Sequence, residues 1–255
     1  MKTLLKLFGG VALVLSASSV PVMADDHAWT GGYAGISGGL GWARPGSVDL
    51  FADSTTPINL GDSTNVSRGT LGRINEHGGF AGAQIGYNRQ SNRVVYGFEA
   101  DIQGSGIKGQ TTGNFSNPFG TFNPIAGSAE TNINWFGTAR GRLGLASNNW
   151  LVYGTGGFAF GEVNYRVNAQ EGGGGALFQS QMNSTSTKTG FVWGGGVEYA
   201  LGRYSIKAEY QHIDLGSIGA SAPVTFIGGA QTDNAHVGSV KPNFDTVRIG
   251  LNAKF

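Results

Sequence analysis

Eight charged residues recur on one face of alternating segments, and they are the residues with the most chemistry to offer. Glu99, Asp101, Glu198 and Glu209 stand against Arg140, Arg142, Lys207 and Arg248. Counted from the turns, Glu99 lies near the level of Arg140, and Glu198 lies opposite Lys207. A buried charge without a partner costs several kcal/mol, so a set balanced in sign predicts paired networks that plug an interior. The competing chemistry is a selective pore, because rings of charged side chains set ion preference. Eight strands enclose room only for side chains, and that favours the plug.

Other constellations promise less. His77, His212 and His236 fall on the side of the long connections, while His27 precedes the first segment. Imidazole ligates haem iron and transition metals. No ligand spacing unites these histidines, so solvated loop and rim residues are the simpler reading. Gly35-Ile36-Ser37-Gly38-Gly39 satisfies G-x-S-x-G, but a nucleophile elbow needs a strand followed by a helix, and here alternation continues to Trp42. Gly154-Thr155-Gly156-Gly157-Phe158-Ala159 imitates a dinucleotide fingerprint without the helix that must follow it. Lys188-Thr189-Gly190 lacks its S-x-x-K partner. No enzyme is indicated, and no cofactor is expected.

What positions these residues follows from composition and periodicity. The chain has 255 residues, 13% charged and 45 of them glycine, with no cysteine. A soluble domain carries about twice that charge and half that glycine. The absence of cysteine excludes a disulfide scaffold, a thiol nucleophile and a cysteine zinc site. A net charge of +1 excludes an electrostatic nucleic-acid binder. Residues 1–24 read as a secretory signal peptide: Lys2 and Lys6, an apolar run from Leu7 to Leu15, then Val22-Met23-Ala24 before the cut. Residues 25–255 are expected to form one exported domain.

Eight segments in that domain alternate with period two: Gly32–Trp42, Gly79–Asn88, Val94–Gln103, Trp135–Leu145, Trp150–Glu162, Phe191–Leu201, Tyr204–Leu215 and Phe244–Phe255. Each is close to the 9–11 residues, roughly, that a membrane strand requires. Short connections (89–93, 146–149, 202–203) alternate with long ones rich in Gly, Ser, Thr and Asn (43–78, 104–134, 163–190, 216–243). The pattern predicts an all-β, eight-stranded antiparallel transmembrane barrel with short periplasmic turns and four long extracellular loops. Val94, Tyr96, Phe98, Ala100 and Ile102 share one face of the third segment; Gly97, Glu99, Asp101 and Gln103 share the other. Gly35, Gly39, Gly82, Gly86, Gly97, Gly194, Gly196 and Gly250 lie on the charged face, as a crowded interior requires. The prediction is therefore polar inside and apolar outside, the reverse of a lipocalin-like barrel.

Several stretches resemble the porin-like outer-membrane immunogenic proteins of alphaproteobacteria: Trp29-Thr30-Gly31-Gly32-Tyr33-Ala34-Gly35, Trp135-Phe136-Gly137-Thr138-Ala139-Arg140-Gly141-Arg142-Leu143-Gly144, and Val247 through Phe255. Gly195-Gly196-Val197-Glu198-Tyr199-Ala200 and Glu209-Tyr210-Gln211 are similar to strands six and seven of the OmpA transmembrane domain. The resemblance implies a barrel with both termini periplasmic, in contact with outer-membrane lipid and lipopolysaccharide, and bearing antigenic loops. It also implies that Phe255 serves as a signal to the barrel-assembly machinery. OmpA adds a peptidoglycan-binding domain, and with the sequence ending at Phe255 that tethering role is not expected. Some relatives bind haemin, for which His77, His212 and His236 are the candidates. The function expected is envelope integrity and surface display; the alternatives are a small-solute porin and a haemin-binding or adhesive receptor.

Overall fold

A computed structural model describes residues 28–43, 46–53, 67–115, 125–171, 178–216, 218–226, 231–240 and 243–255. The expected signal peptide and His27 lie outside them. Twelve strands are described: β1 (Gly31–Ala43), β2 (Gly46–Asp53), β3 (Ser67–Ile74), β4 (His77–Ser91), β5 (Val94–Phe115), β6 (Ile125–Ser147), β7 (Trp150–Glu171), β8 (Phe178–Leu201), β9 (Tyr204–Asp214), β10 (Ile218–Phe226), β11 (Gln231–Val240) and β12 (Asn243–Lys254).

Eight of them close a ring in the order β1-β4-β5-β6-β7-β8-β9-β12, every pair antiparallel. Closure comes from β1 against β12, in register from Tyr33↔Lys254 to Ala43↔Phe244. All eight expected segments are strands of this ring. Adjacent strands turn tightly at one end, where Asn92, Asn148 and Gly202 take positive φ (52°, 51° and 64°). Asn and Gly tolerate that left-handed conformation with the least steric cost.

The four long connections differ from the loops expected of them. β5, β6, β7 and β8 continue past the ring as long hairpins, and β2, β3, β10 and β11 continue the remaining four positions. The neighbours are preserved: β2 pairs β11 where β1 pairs β12, β2 pairs β3 where β1 pairs β4, and β8 passes from β9 to β10. The barrel wall therefore rises beyond the ring as a second storey of strands.

The two faces separate as the alternation dictates. Ile36, Leu40, Phe98, Ile102, Phe158, Phe191, Trp193 and Ile249 point outward and are exposed. Rings gather at both ends of this apolar band: Trp150 lies 4.8 Å from Tyr199 and Tyr87 6.2 Å from Phe98 near the tight turns, while Trp135 lies 6.1 Å from Phe160 and Trp193 6.2 Å from Tyr210 at the far end. From Trp150 to Phe160, at ~3.4 Å per residue and a tilt of ~40°, the band is about 26 Å tall.

Inside, glycine is dictated by backbone approach. A Cβ on Gly39 would strike the Val247 carbonyl, and one on Gly82 the Ile102 carbonyl. The interior also departs from the uniformly polar lumen expected. Phe80, Phe136 and Phe244 pack edge to face at 5.3 Å with Ile107, Ile133, Val163, Val192, Ile213 and Leu215 at the far end. Trp29, Val95, Ala146, Leu151, Tyr153 and Ala200 form a second apolar cluster near the tight turns. The charged residues lie between.

Two outcomes follow. Ile249 is 65% exposed mid-strand, so Ile249→Arg should cost about 2–4 kcal/mol of folding free energy in lipid vesicles, while Leu201→Arg beside the turn should cost about 0–1. Equal costs would contradict the outward band. Glu76, at the joint between β3 and β4, is buried, and its backbone carbonyl accepts the Ala43 N–H at 2.8 Å. Burial pushes its carboxyl up, with the Thr131 hydroxyl pulling partly back, and the buried Tyr165 hydroxyl is raised by its own burial and by Glu76. A raised folded pKa means stability fully present below the unfolded carboxylate range and lost as pH rises through the folded value. Amide protection factors around residues 43 and 76, which are corrected for the intrinsic exchange rate at each pH, should fall across that rise, and Glu76→Gln should remove the fall.

Candidate functional site

The lumen is built from alternate positions on all eight ring strands, with β4 supplying Gln84 and β7 supplying Tyr153 and Thr155 beside the other six. β5 supplies Glu99, Asp101 and Gln103; β6 supplies Thr138, Arg140 and Arg142; β8 supplies Glu198; β9 supplies Ser205, Lys207, Glu209 and Gln211; β12 supplies Arg248 and Asn252; β1 supplies Tyr33 and Ser37. Their positions alternate with the outward apolar residues, so the same period that builds the outer band aims these side chains at the axis. All eight charged residues singled out in the sequence are buried there.

Glu99 is the hub. Its carboxylate accepts from Arg140 Nη2 at 2.5 Å, from Lys207 Nζ at 2.7 Å, from the Tyr33 hydroxyl at 2.8 Å and from Arg248 Nη2 at 3.2 Å. Arg142 Nη1 lies 3.6 Å away. Glu209 is a second centre, accepting from Arg140 Nη1 at 2.9 Å, Arg248 Nε at 2.8 Å, the Tyr153 hydroxyl at 2.6 Å and Gln211 Nε2 at 2.6 Å. Asp101 accepts from the Thr138 hydroxyl at 2.5 Å and Arg140 Nη2 at 3.0 Å, with Arg248 Nη1 at 3.2 Å. Glu198 takes Arg142 Nη2 at 2.6 Å, the Ser205 hydroxyl at 2.5 Å and Asn252 Nδ2 at 2.9 Å.

The Glu99–Arg140 pairing anticipated from the turns is present, and the two are register neighbours. Glu198 and Lys207 are also register neighbours, yet they do not form the pair expected. The Lys207 ammonium crosses the lumen to Glu99, and Glu198 turns to Arg142 instead. The flexible four-carbon stem lets the ammonium span the narrow lumen, while Arg142, Ser205 and Asn252 already occupy the Glu198 carboxylate. The charge pattern alone gives no sign of the Tyr33 and Tyr153 hydroxyls, which complete the network. Arg142 lies 4.0 Å from the Tyr153 ring centroid, a desolvated cation–π contact.

The histidines lie elsewhere. His77 is exposed on the outer surface; His212 sits 2.7 Å from Asp245 and 5.3 Å from the Trp193 ring; His236 lies on β11, paired in register with Phe51. Among the described residues no cluster of three metal-ligating side chains is present. Gly35–Gly39 lies within β1, where the Ser37 hydroxyl accepts from Gln103 Nε2 at 3.1 Å. Gly154–Ala159 lies within β7. Phe255 is exposed beside Gly32, whose carbonyl accepts its N–H at 2.9 Å.

Residues 10–255 match the family model of the outer membrane protein beta-barrel domain. The chain belongs to this family. It is 37% identical over 248 residues to the 31 kDa outer-membrane immunogenic protein of Brucella melitensis, covering 95% of this chain and 91% of that one. It is 26% identical over 208 residues to the 22 kDa outer membrane protein of Rhizobium leguminosarum, covering 80% of each. Among solved structures it is similar to the outer membrane protein OprG of Pseudomonas aeruginosa, at 12% identity, a TM-score of 0.47 and coverage of 90% of this chain and 99% of that one. As in outer-membrane barrels generally, the exposed apolar band is the face turned to lipid and the tight turns are the periplasmic ones.

The network sets a test that separates lumen-crossing pairs from wall neighbours. Lys207→Ala should cost about 3–5 kcal/mol in vesicles, because it strands buried carboxylate charge. A double-mutant cycle of Lys207→Ala with Glu99→Gln should give a large coupling energy, and the cycle with Glu198→Gln a small one. The opposite ranking would show that the ammonium stays with its wall neighbour.

Proposed function

We propose that this outer-membrane barrel is a closed, non-enzymatic envelope protein that stiffens the membrane and presents its upper storey of strands as a surface antigen. The observation that carries the reading is the filling of the lumen along its length. Trp29 and its neighbours occupy the periplasmic end, the charged network occupies the middle, and the Phe80–Phe136–Phe244 cluster occupies the extracellular end. Arg248, Phe136, Lys207, Phe244 and Gln211 are each among the side chains with essentially no solvent exposure. A water-filled porin needs a continuous wet path, and three layers of buried side chains stand across it here.

Surface display is supported by the hairpins that continue beyond the outer aromatic belt and by the immunogenic relatives of Brucella. Cleavage after Ala24 is part of the same proposal, as is export of residues 25–255.

Two measurements test it together. The purified protein in planar bilayers should show no steady conductance, and an epitope inserted at residues 172–177 should be detected on intact cells. The same epitope at Asn148 should be detected only after the outer membrane is opened. Steady conductance from the unmodified protein would overturn the closed barrel in favour of a small-solute porin.

A further inference from the structure

Among the described side chains, the periplasmic rim is charged with one sign only. Arg89, Arg93, Arg203 and Lys254 sit at this end, and among the described residues no acidic side chain shares the rim with them; Glu198, the nearest, is buried in the lumen. Arg89 and Arg93 are exposed, and none of the four meets a carboxylate among the described residues. The Lys254 ammonium donates to the Ala28 carbonyl at 2.8 Å. The opposite rim is mixed in sign, with Lys108 beside His77 in register and Glu162, Asp214 and Asp245 on neighbouring strands.

Position relative to the aromatic belt assigns the partner. Arg89 follows Tyr87 by two residues on the same outward face, a step of about 7 Å along the strand. Tyr87 itself stacks on Phe98 at 6.2 Å. The Arg203 guanidinium lies 5.9 Å from the ring centroid of Tyr204, at the end of a turn beside exposed Leu201. Aromatic belts mark the headgroup boundary, so cations one step beyond them reach phosphate depth. Guanidinium binds phosphate through paired, charge-assisted hydrogen bonds, and among the described residues Arg89 and Arg93 have theirs uncommitted to a carboxylate.

We propose that Arg89, Arg93 and Arg203 form a binding surface for anionic phospholipid headgroups in the periplasm-facing leaflet, fixing the depth of the barrel at its turns. Peptidoglycan carboxylates offer the same sign of charge. The outward placement of exposed Arg89, two residues beyond Tyr87 on the belt face, favours the lipid.

The test uses the full chain in nanodiscs of phosphatidylcholine alone or with one third phosphatidylglycerol, reading the melting temperature and the lipids retained in native mass spectra. Phosphatidylglycerol should stabilise the unmodified protein and be retained preferentially. Each arginine replaced by glutamine should reduce that preference about fivefold, and Arg89→Gln/Arg93→Gln/Arg203→Gln should abolish it. The charge-matched outer variant Arg73→Gln/Lys108→Gln/Arg166→Gln should retain it. Raising salt on the unmodified protein should weaken the preference in parallel, an arm that does not depend on any variant folding. Equal behaviour in both lipids, or equal loss in the outer variant, would overturn the proposal. So would soluble peptidoglycan fragments binding the unmodified protein but not the inner triple variant, with the lipid response unchanged between the two.

Discussion

The width of an eight-stranded ring governs this molecule. Such a ring holds side chains and little else, so any charge pointing inward loses its water and must find its partners among the other inward residues. Glu99 shows how completely that demand is met, with Arg140, Lys207, Arg248 and the Tyr33 hydroxyl converging on one carboxylate from four other strands. Glu209 does the same from β9, and Arg140 and Arg248 join the two carboxylates. The contacts run across the lumen as well as along the wall. They brace opposite sides of the ring, which backbone pairing alone cannot do.

The same width explains where glycine falls. Long side chains from β5, β6, β9 and β12 meet at the axis only if other inward positions hold nothing. At Gly39 and Gly82 the neighbouring strand's carbonyl occupies the space a Cβ would take. The outer face answers to a different solvent, and lipid asks only that backbone groups be satisfied and side chains be apolar.

Much of this was legible in the sequence because lipid on one side and a crowded lumen on the other impose period two on every spanning strand. The eight ring strands, their two faces and the eight charges of the central network follow from that period. Three features did not follow, each for a physical reason. The upper storey keeps period two only in part and with the faces reversed: Val163, Tyr165, Val167 and Met182 are buried while Arg166 faces out, and Ser and Thr fill most of Gln181–Thr187 although they still pair as strand. The apolar ends of the lumen were hidden in adjacent apolar pairs: Val94-Val95, Trp135-Phe136, Trp150-Leu151 and Val192-Trp193 each send one residue to the outer band and one inward. Those doublets were the available signal. The Lys207–Glu99 contact was hidden because register names wall neighbours, whereas a long side chain chooses its partner across the axis.

The layering also bears on why the network exists at all. A buried set of ion pairs contributes less to stability than its short distances suggest, since desolvation offsets most of the attraction. Apolar side chains of the same volume would fill the middle of this lumen comparably well. What they could not do is report register. Slipping one strand by a single residue turns its inward set outward. For β5 that slip would carry Glu99 and Asp101 into lipid and leave Arg140, Lys207 and Arg248 unpartnered at the axis. For β12 it would expose Arg248 and draw Ile249 inward against Glu209 and Glu99. With apolar residues on both faces, the same slip would cost little. The apolar layers above and below sharpen the discrimination, because they keep out the water that would otherwise rescue a mispaired charge. The charged layer thus acts chiefly on which ring forms, and through its cross-lumen contacts it keeps that ring closed.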